Sequence, residues 1–218
     1  MRKYTKTGLL ILTLAFPVLI FVFLKVFTSN RFDLPYFVPL RDVADNVVMQ
    51  PGGDTAFYQI PNLSLSAVSG LIDATASLKG KTILVNTLSS PCGDTCQKAL
   101  SQLVRVHALH QEYPSFVILT LVDKDDSQII SVVNERRQSD AGWLVSALPD
   151  STLSSAIQNV FRLNEKVPGL QTISPQVRLS LVDGAGYIRG FYDTTNPEET
   201  DRLMAEIRIL EHNRKVQK

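Results

Sequence analysis

Apolar residues are spaced along this chain in three ways, and each spacing predicts a different kind of element. Near the amino terminus, Gly8 to Phe27 forms an apolar run of 20 residues broken by one charge, Lys25. As a helix such a run is roughly 30 Å long, about one hydrocarbon core. Lys25 stands at its far end, where the ammonium can snorkel to the interface, and Pro17 can kink a spanning helix without forbidding it. Shorter runs that are apolar at nearly every position, Ile83 to Val85 in "GKTILVNTL" and Phe116 to Val122 in "SFVILTLVD", predict strands buried on both faces. Between them, Leu100, Leu103, Val104 and Ala108 recur near helical spacing.

The remaining elements follow from the same patterns. "FYQIPNLSL" and "GLIDATASL" read as short edge strands or a hairpin joined by "SAVSG". "DSQIISVVNERRQ" and "STLSSAIQNVFRL" predict helices on either side of "GWLVSALPD", and "VRLSLVDGAGYIRGFYD" predicts two strands joined by Gly184 and Gly186. A last helix is marked by Asn196 as N-cap, Pro197 in the first position, and Glu198 and Glu199 in the first turn. Its buried stripe is Leu203, Ile207 and Leu210.

Strand, turn, helix, strand is a βαβ crossover, which implies parallel strands and a right-handed connection. The expected fold class is α/β, a mixed sheet flanked by helices, plus one amino-terminal transmembrane helix. Residues 1–28 make a basic tip and anchor, 29–56 an extended tether kept from helix by Pro35 and Pro39, 57–212 the folded domain and 213–218 a charged tail.

Composition narrows the function. With 218 residues, 44% of them hydrophobic, the chain can bury one ordinary core. A net charge of +1 and the lack of any basic block with interleaved aromatics argue against a nucleic-acid partner. The apolar run exceeds the ~7–15 residues of a secretory h-region, and the flank "TSNRF" has no small-x-small cleavage site. Arg2, Lys3 and Lys6 before the run favour a cytoplasmic amino terminus. The expectation is a single-pass protein of the cell membrane whose carboxy-terminal domain is extracytoplasmic, periplasmic if the source is bacterial. Thiols oxidise there unless something reduces or ligates them.

That bears on Cys92 and Cys96 of "SSPCGDTCQ", the only cysteines in the chain. The pair follows a buried strand and stands at the start of a helix, whose unpaired N–H groups and positive potential stabilise a thiolate. Asp94 opposes this by like charge. On one helical turn the two Cα atoms fall about 6 Å apart, within the span a disulfide tolerates, and both sulfurs can also clamp a soft ion such as Cu(I). A structural staple across so short a loop removes little chain entropy. Redox switch and metal clamp both remain open on spacing alone.

An ordered series of segments carries a family resemblance: "IPNLSL", "LKGKTILVNTL", the C-x-x-x-C pair, "LTLVDKDDS", "GWLVSALPDSTLSSAIQNVFRL" and "LSLVDGAGYIRGFYD". Together with the anchor they resemble the SCO/SenC family, membrane-anchored thioredoxin-fold proteins of cytochrome c oxidase copper-site assembly. The resemblance covers the anchor and most of residues 57–210. Ordinary thioredoxin-like reductases carry C-x-x-C, and a peroxiredoxin would have proline at the position of Val85.

The resemblance implies a thioredoxin-like sheet and a copper site of two thiolates, Cys92 and Cys96, plus one histidine. The sequence departs from it at that histidine: "QTISPQVRLSLVD" has Ser174, Pro175 and Gln176 there, and no histidine lies between His110 and His212. The usual proline after the second cysteine is replaced by Gln97. His107 and His110 are read as packed or surface residues and His212 as solvated. Asp94, Asp123, Asp125 and Asp126 are read as solvated loop residues, because hard carboxylates suit Cu(I) poorly. Trp143 is read as a core or groove-lining aromatic. Ser174–Pro175 is the candidate for the cis-proline that such redox proteins place opposite the cysteines.

Loss of the imidazole weakens Cu(II) more than Cu(I). The expected function is therefore SCO-like support of oxidase assembly, through dithiol–disulfide exchange in which Cys92 attacks and Cys96 resolves, with Cu(I) as an optional cargo. The expected partners are the membrane and an oxidase copper-site subunit or another thiol protein. Two alternatives stand beside it: a degenerate, non-redox membrane-tethered binding protein, and a general extracytoplasmic thiol–disulfide reductase.

Overall fold

A computed structural model describes residues 13, 15–23, 33–60, 78–137, 141–166 and 174–216. Two compact units are present, one up to Asp33 and one from Leu34 onward. In the first, residues 15–23 are helical, and most of the expected membrane span lies outside the described residues. Among those described, no helix is long and apolar enough to cross a membrane. Of the strands or hairpin expected over residues 57–78, residues 61–77 also lie outside them.

The second unit is built on a five-stranded sheet in the order β3-β2-β1-β4-β5. β1 (Thr82–Thr87) is central and fully buried. It pairs in parallel with β2 (Phe116–Asp123), and Ile83 to Val85 lie opposite Val117 to Leu119. β3 (Trp143–Leu148) extends the parallel half as an edge strand. On the other side β4 (Arg178–Val182) and β5 (Ile188–Asp193) are antiparallel, which gives the mixed sheet read from the sequence. The strand "WLVSAL" was less legible because an edge strand alternates in burial instead of running apolar throughout.

Helices cover both faces. α1 (Asp94–His107) crosses from β1 toward β2 and buries Ala99, Leu100, Leu103 and Val106. Ala108, expected on that stripe, is exposed in the break before the short α2 (Leu109–Glu112). α3 (Ser127–Arg136) follows β2, and α4 (Asp150–Ser155) runs into a π-helical turn over Ala156–Val160. α5 (Pro197–Val216) begins as read, with the Asn196 side chain accepting from the Glu198 N–H at 3.0 Å, and it buries Leu203, Ile207 and Leu210.

Two boundaries are corrected. The tether expected over residues 29–56 belongs to the domain from Leu34 on. Val38 and Ile60 join the core, and Tyr36 stacks on Phe57 with centroids 5.1 Å apart. Arg189 lies 4.1 Å over the Tyr36 ring. Pro35 and Pro39 exclude helix but not antiparallel bridges, which form at Pro39–Phe57, Arg41–Val47, Met49–Thr55 and Gln59–Tyr187. At the other end, helix α5 runs on through residues 213–216 instead of dissolving into a charged tail. Glu211 there is fully buried, accepting from the Thr82 hydroxyl at 2.6 Å and from Arg214 at 2.9 Å. A buried carboxylate is tolerable when paired and hydrogen-bonded in this way.

Candidate functional site

The parallel strand β1 ends at Thr87, and the chain crosses the top of the sheet as Leu88 to Gly93 before α1 begins. Cys92 precedes the N-cap Gly93, and Cys96 lies in the first turn of α1. The two are joined as a disulfide with Cα atoms 5.1 Å apart, and both side chains are half-buried. No side chain caps α1. The pair thus flanks a helix start, where unpaired N–H groups and the positive end of the dipole favour negative charge.

Two neighbours hold the approach to the pair. The Asp126 carboxylate, N-cap of α3, accepts from the Ser90 N–H at 2.7 Å, the Ser90 hydroxyl at 2.6 Å and the Ile129 N–H at 3.0 Å. Burial works to raise its pKa, yet hydrogen bonds from the Ser90 hydroxyl and the Ile129 and Ser90 N–H groups hold it below the ordinary carboxylate value. Its stabilising contribution is present above that ordinary value and is lost as pH falls through the depressed one. On the opposite side a 3₁₀ turn, Pro175–Val177, brings the Gln176 carboxamide to donate to the Ser89 hydroxyl at 2.8 Å. Between loop and turn lies an open groove of about 310 Å³, lined by residues 88–91, 93–96 and 176–177.

Several sequence expectations can be placed. Cys92 and Cys96 come together. Pro175 lies in the turn beside them, but the cis X–Pro bond among the described residues is Ser90–Pro91, on the cysteine loop itself. The cis bond expected before Pro175 is thus corrected. Ser174 has the extended geometry of a residue before proline and caps the 3₁₀ turn, its hydroxyl accepting from the Gln176 N–H at 3.4 Å. Asp126 was read as solvated and is instead the pin of the loop; the motif "DSQII", an N-cap before an apolar-periodic run, was the available signal. Asp123 closes a local, exposed turn, accepting from the Asp125 N–H at 2.9 Å.

The histidines near α1 are structural. His107 Nε2 lies 2.8 Å from the Ala141 carbonyl and its ring meets Trp143 edge-on at 5.4 Å. His110 Nδ1 lies 2.7 Å from the Phe116 carbonyl. His212 is exposed on α5. Trp143 is a core residue, fully buried, whose indole N–H donates to Thr120 Oγ1 at 2.9 Å; that hydroxyl donates in turn to Asn86 at 2.9 Å. Among the described residues no group of three or more His, Cys, Asp or Glu side chains converges.

No family model matches the sequence, and no curated protein resembles it closely enough in sequence to match. Solved structures do match in shape. An SCO1/SenC family lipoprotein from Bacillus anthracis str. Ames aligns at a TM-score of 0.50 and 12% identity over 61% of this chain and 83% of that one. BsSco, described as a member of the Sco family of cytochrome c oxidase assembly proteins with a disulfide switch, aligns at 0.51 and 14% over 83% of this chain and 96% of that one. The chain shares the thioredoxin-like fold of these two proteins. Yeast Sco1 also aligns, at a TM-score of 0.43 and 16% identity over 61% of this chain and 87% of that one. In this chain a C-x-x-x-C pair, Cys92 and Cys96, lies beside the groove, with Cys96 in its lining.

Proposed function

We propose that this chain is an SCO/SenC-type assembly protein for the cytochrome c oxidase copper site, held to a membrane by residues 8–27 with its folded domain on the extracytoplasmic side. One observation carries the reading: a closed Cys92–Cys96 bond at the uncapped start of α1, beside an open groove, in this fold. The chemistry is dithiol–disulfide exchange. Opened by a thiol-class reductant, Cys92 as thiolate attacks one sulfur of a client disulfide, and the other client sulfur leaves as thiolate and takes a proton. The Cys96 thiolate then attacks the Cys92 sulfur and releases the second client thiol. Two electrons have passed to the client, and the bond seen in this structure has formed again.

Copper enters this reading as cargo. Two thiolates, both half-buried, fit a soft monovalent ion in near-linear coordination. The residues where a third ligand is expected do not supply an imidazole. Gln176 offers only a carboxamide, a hard donor that also hydrogen-bonds Ser89. The set therefore favours Cu(I) over Cu(II), and only the reduced pair can hold it.

Anaerobic titration of the reduced full chain in mild detergent, with a competing Cu(I) chelator, tests this. The expected result is one Cu(I) per chain, lost in the Cys92→Ser/Cys96→Ser variant, with Cu(II) at least tenfold weaker than in a variant restoring the imidazole, Gln176→His. Retention of copper by the cysteine-free variant would sink the assignment of the ligands.

A further inference from the structure

Where the family resemblance leads one to expect proline after the second cysteine, this chain has Gln97, and the side chain is engaged on both sides. Its Nε2 lies 3.5 Å from Cys92 Sγ, and its Oε1 accepts from the Arg136 guanidinium at 3.0 Å. The orientation of the carboxamide follows from chemistry. A guanidinium has only donors, so it must face the oxygen, and the NH₂ group is left directed at the sulfur. Gln97 stands one residue after Cys96 on α1, and Arg136 ends α3. A side chain on each of two helices therefore fixes a donor on the first cysteine of the pair and not on the second.

We propose that Gln97 is a positioning residue for Cys92, oriented by Arg136, and that it makes Cys92 the attacking sulfur. The proposal rests on the reading of the pair as an exchanging dithiol. In the disulfide the sulfur is a weak acceptor, so the contact contributes little. After reduction the same sulfur carries negative charge, and the hydrogen bond becomes charge-assisted. The Arg136 cation polarises the amide in the favourable sense. Opposed to it are Asp94 in the first turn of α1 and Asp126 at the start of α3, both carboxylates near the loop; Gln176, from the 3₁₀ turn, is neutral. Gln97 thus stabilises the reduced form over the oxidised one and offsets two nearby negative charges. A donor that favours the reduced form raises the reduction potential, so its removal lowers it.

The test is equilibration of the full chain, in mild detergent, with glutathione buffers of graded ratio, the Cys92–Cys96 state being read by alkylation after acid quench. Gln97→Ala should shift the equilibrium about tenfold toward the disulfide, which is ~30 mV for a two-electron couple. Arg136→Met, on the other helix, should shift it in the same direction by a smaller factor, because the carboxamide is then free to turn. Gln97→Glu should shift it further than alanine, by facing a carboxylate oxygen to the sulfur. A potential that is unchanged in both Gln97→Ala and Arg136→Met would overturn the positioning role while leaving exchange intact. A wild-type pair that never titrates between dithiol and disulfide would overturn both.

Discussion

Serine in place of Cys92 is expected to abolish thiol exchange, whereas serine in place of Cys96 is expected to leave the chain covalently joined to its client. The asymmetry follows from where the two sulfurs sit. Cys92 lies outside α1 and carries the Gln97 donor, while Cys96 is part of the first helical turn. An attacking thiolate at Cys92 forms a mixed disulfide, and only a second thiol within bonding reach can resolve it. The Cα separation of 5.1 Å puts Cys96 within that reach. Without Cys96 the intermediate has no intramolecular exit and accumulates; without Cys92 it never forms. Electrophoresis of acid-quenched, alkylated membranes under non-reducing conditions reads both outcomes. A slow-migrating adduct in the Cys96→Ser variant and none in Cys92→Ser is the expected result. An adduct only in Cys92→Ser would reverse the roles, and adducts in neither would exclude exchange.

Alanine at Gly142 should be the most destabilising single methyl group among the described glycines. Gly142 has φ +77°, and an added Cβ would collide with the ring of His110. That ring is not a loose side-chain end. It is tied to the Phe116 carbonyl at 2.7 Å, where β2 begins, and the Gly142 carbonyl itself accepts from Ile118 at 2.7 Å. The left-handed backbone costs a non-glycine residue about 1–2 kcal/mol, and displacing the ring forfeits a part-buried hydrogen bond worth ~1 kcal/mol. The expected loss is therefore about 2–3 kcal/mol, read from urea unfolding with the slope unchanged. In the Gly142→Ala/His110→Ala double variant the steric part vanishes and the backbone part remains, so the two substitutions should be clearly non-additive. A loss below ~1 kcal/mol in the single variant would contradict this account of how the β2–β3 edge is held.

How much of this was legible in the sequence depended on whether a residue's partners are local. Ile83 to Val85 and Phe116 to Val122 announce buried parallel strands because every position meets apolar neighbours on both faces. Asn196–Pro197–Glu198–Glu199 announces a helix start because capping is settled within four residues. The cysteine pair was readable for the same reason, since both sulfurs and the strand before them lie within one short segment. Gln97 was noticed only as a missing proline; its tie to Arg136 spans 39 residues, and spacing carries no trace of it. Asp126 reads as a solvated carboxylate because Ser90, its partner, lies 36 residues away. The stretch from Leu34 to Ala56 reads as a tether for a related reason. Its bridges are isolated and its aromatics pack on Tyr187 and Arg189, far along the chain.

On the proposed function, the chemistry resides in Cys92 and Cys96. The most direct test is oxidase activity, together with copper content of the purified oxidase, in cells whose only copy of this protein carries Cys92→Ala and Cys96→Ala, with the protein's abundance checked alongside. Loss of copper from the oxidase and an activity no higher than in cells lacking the protein is the expected result. Full activity and a fully metallated oxidase with the cysteine-free chain would contradict it, and would mean that the domain holds a partner at the membrane without any chemistry of its own.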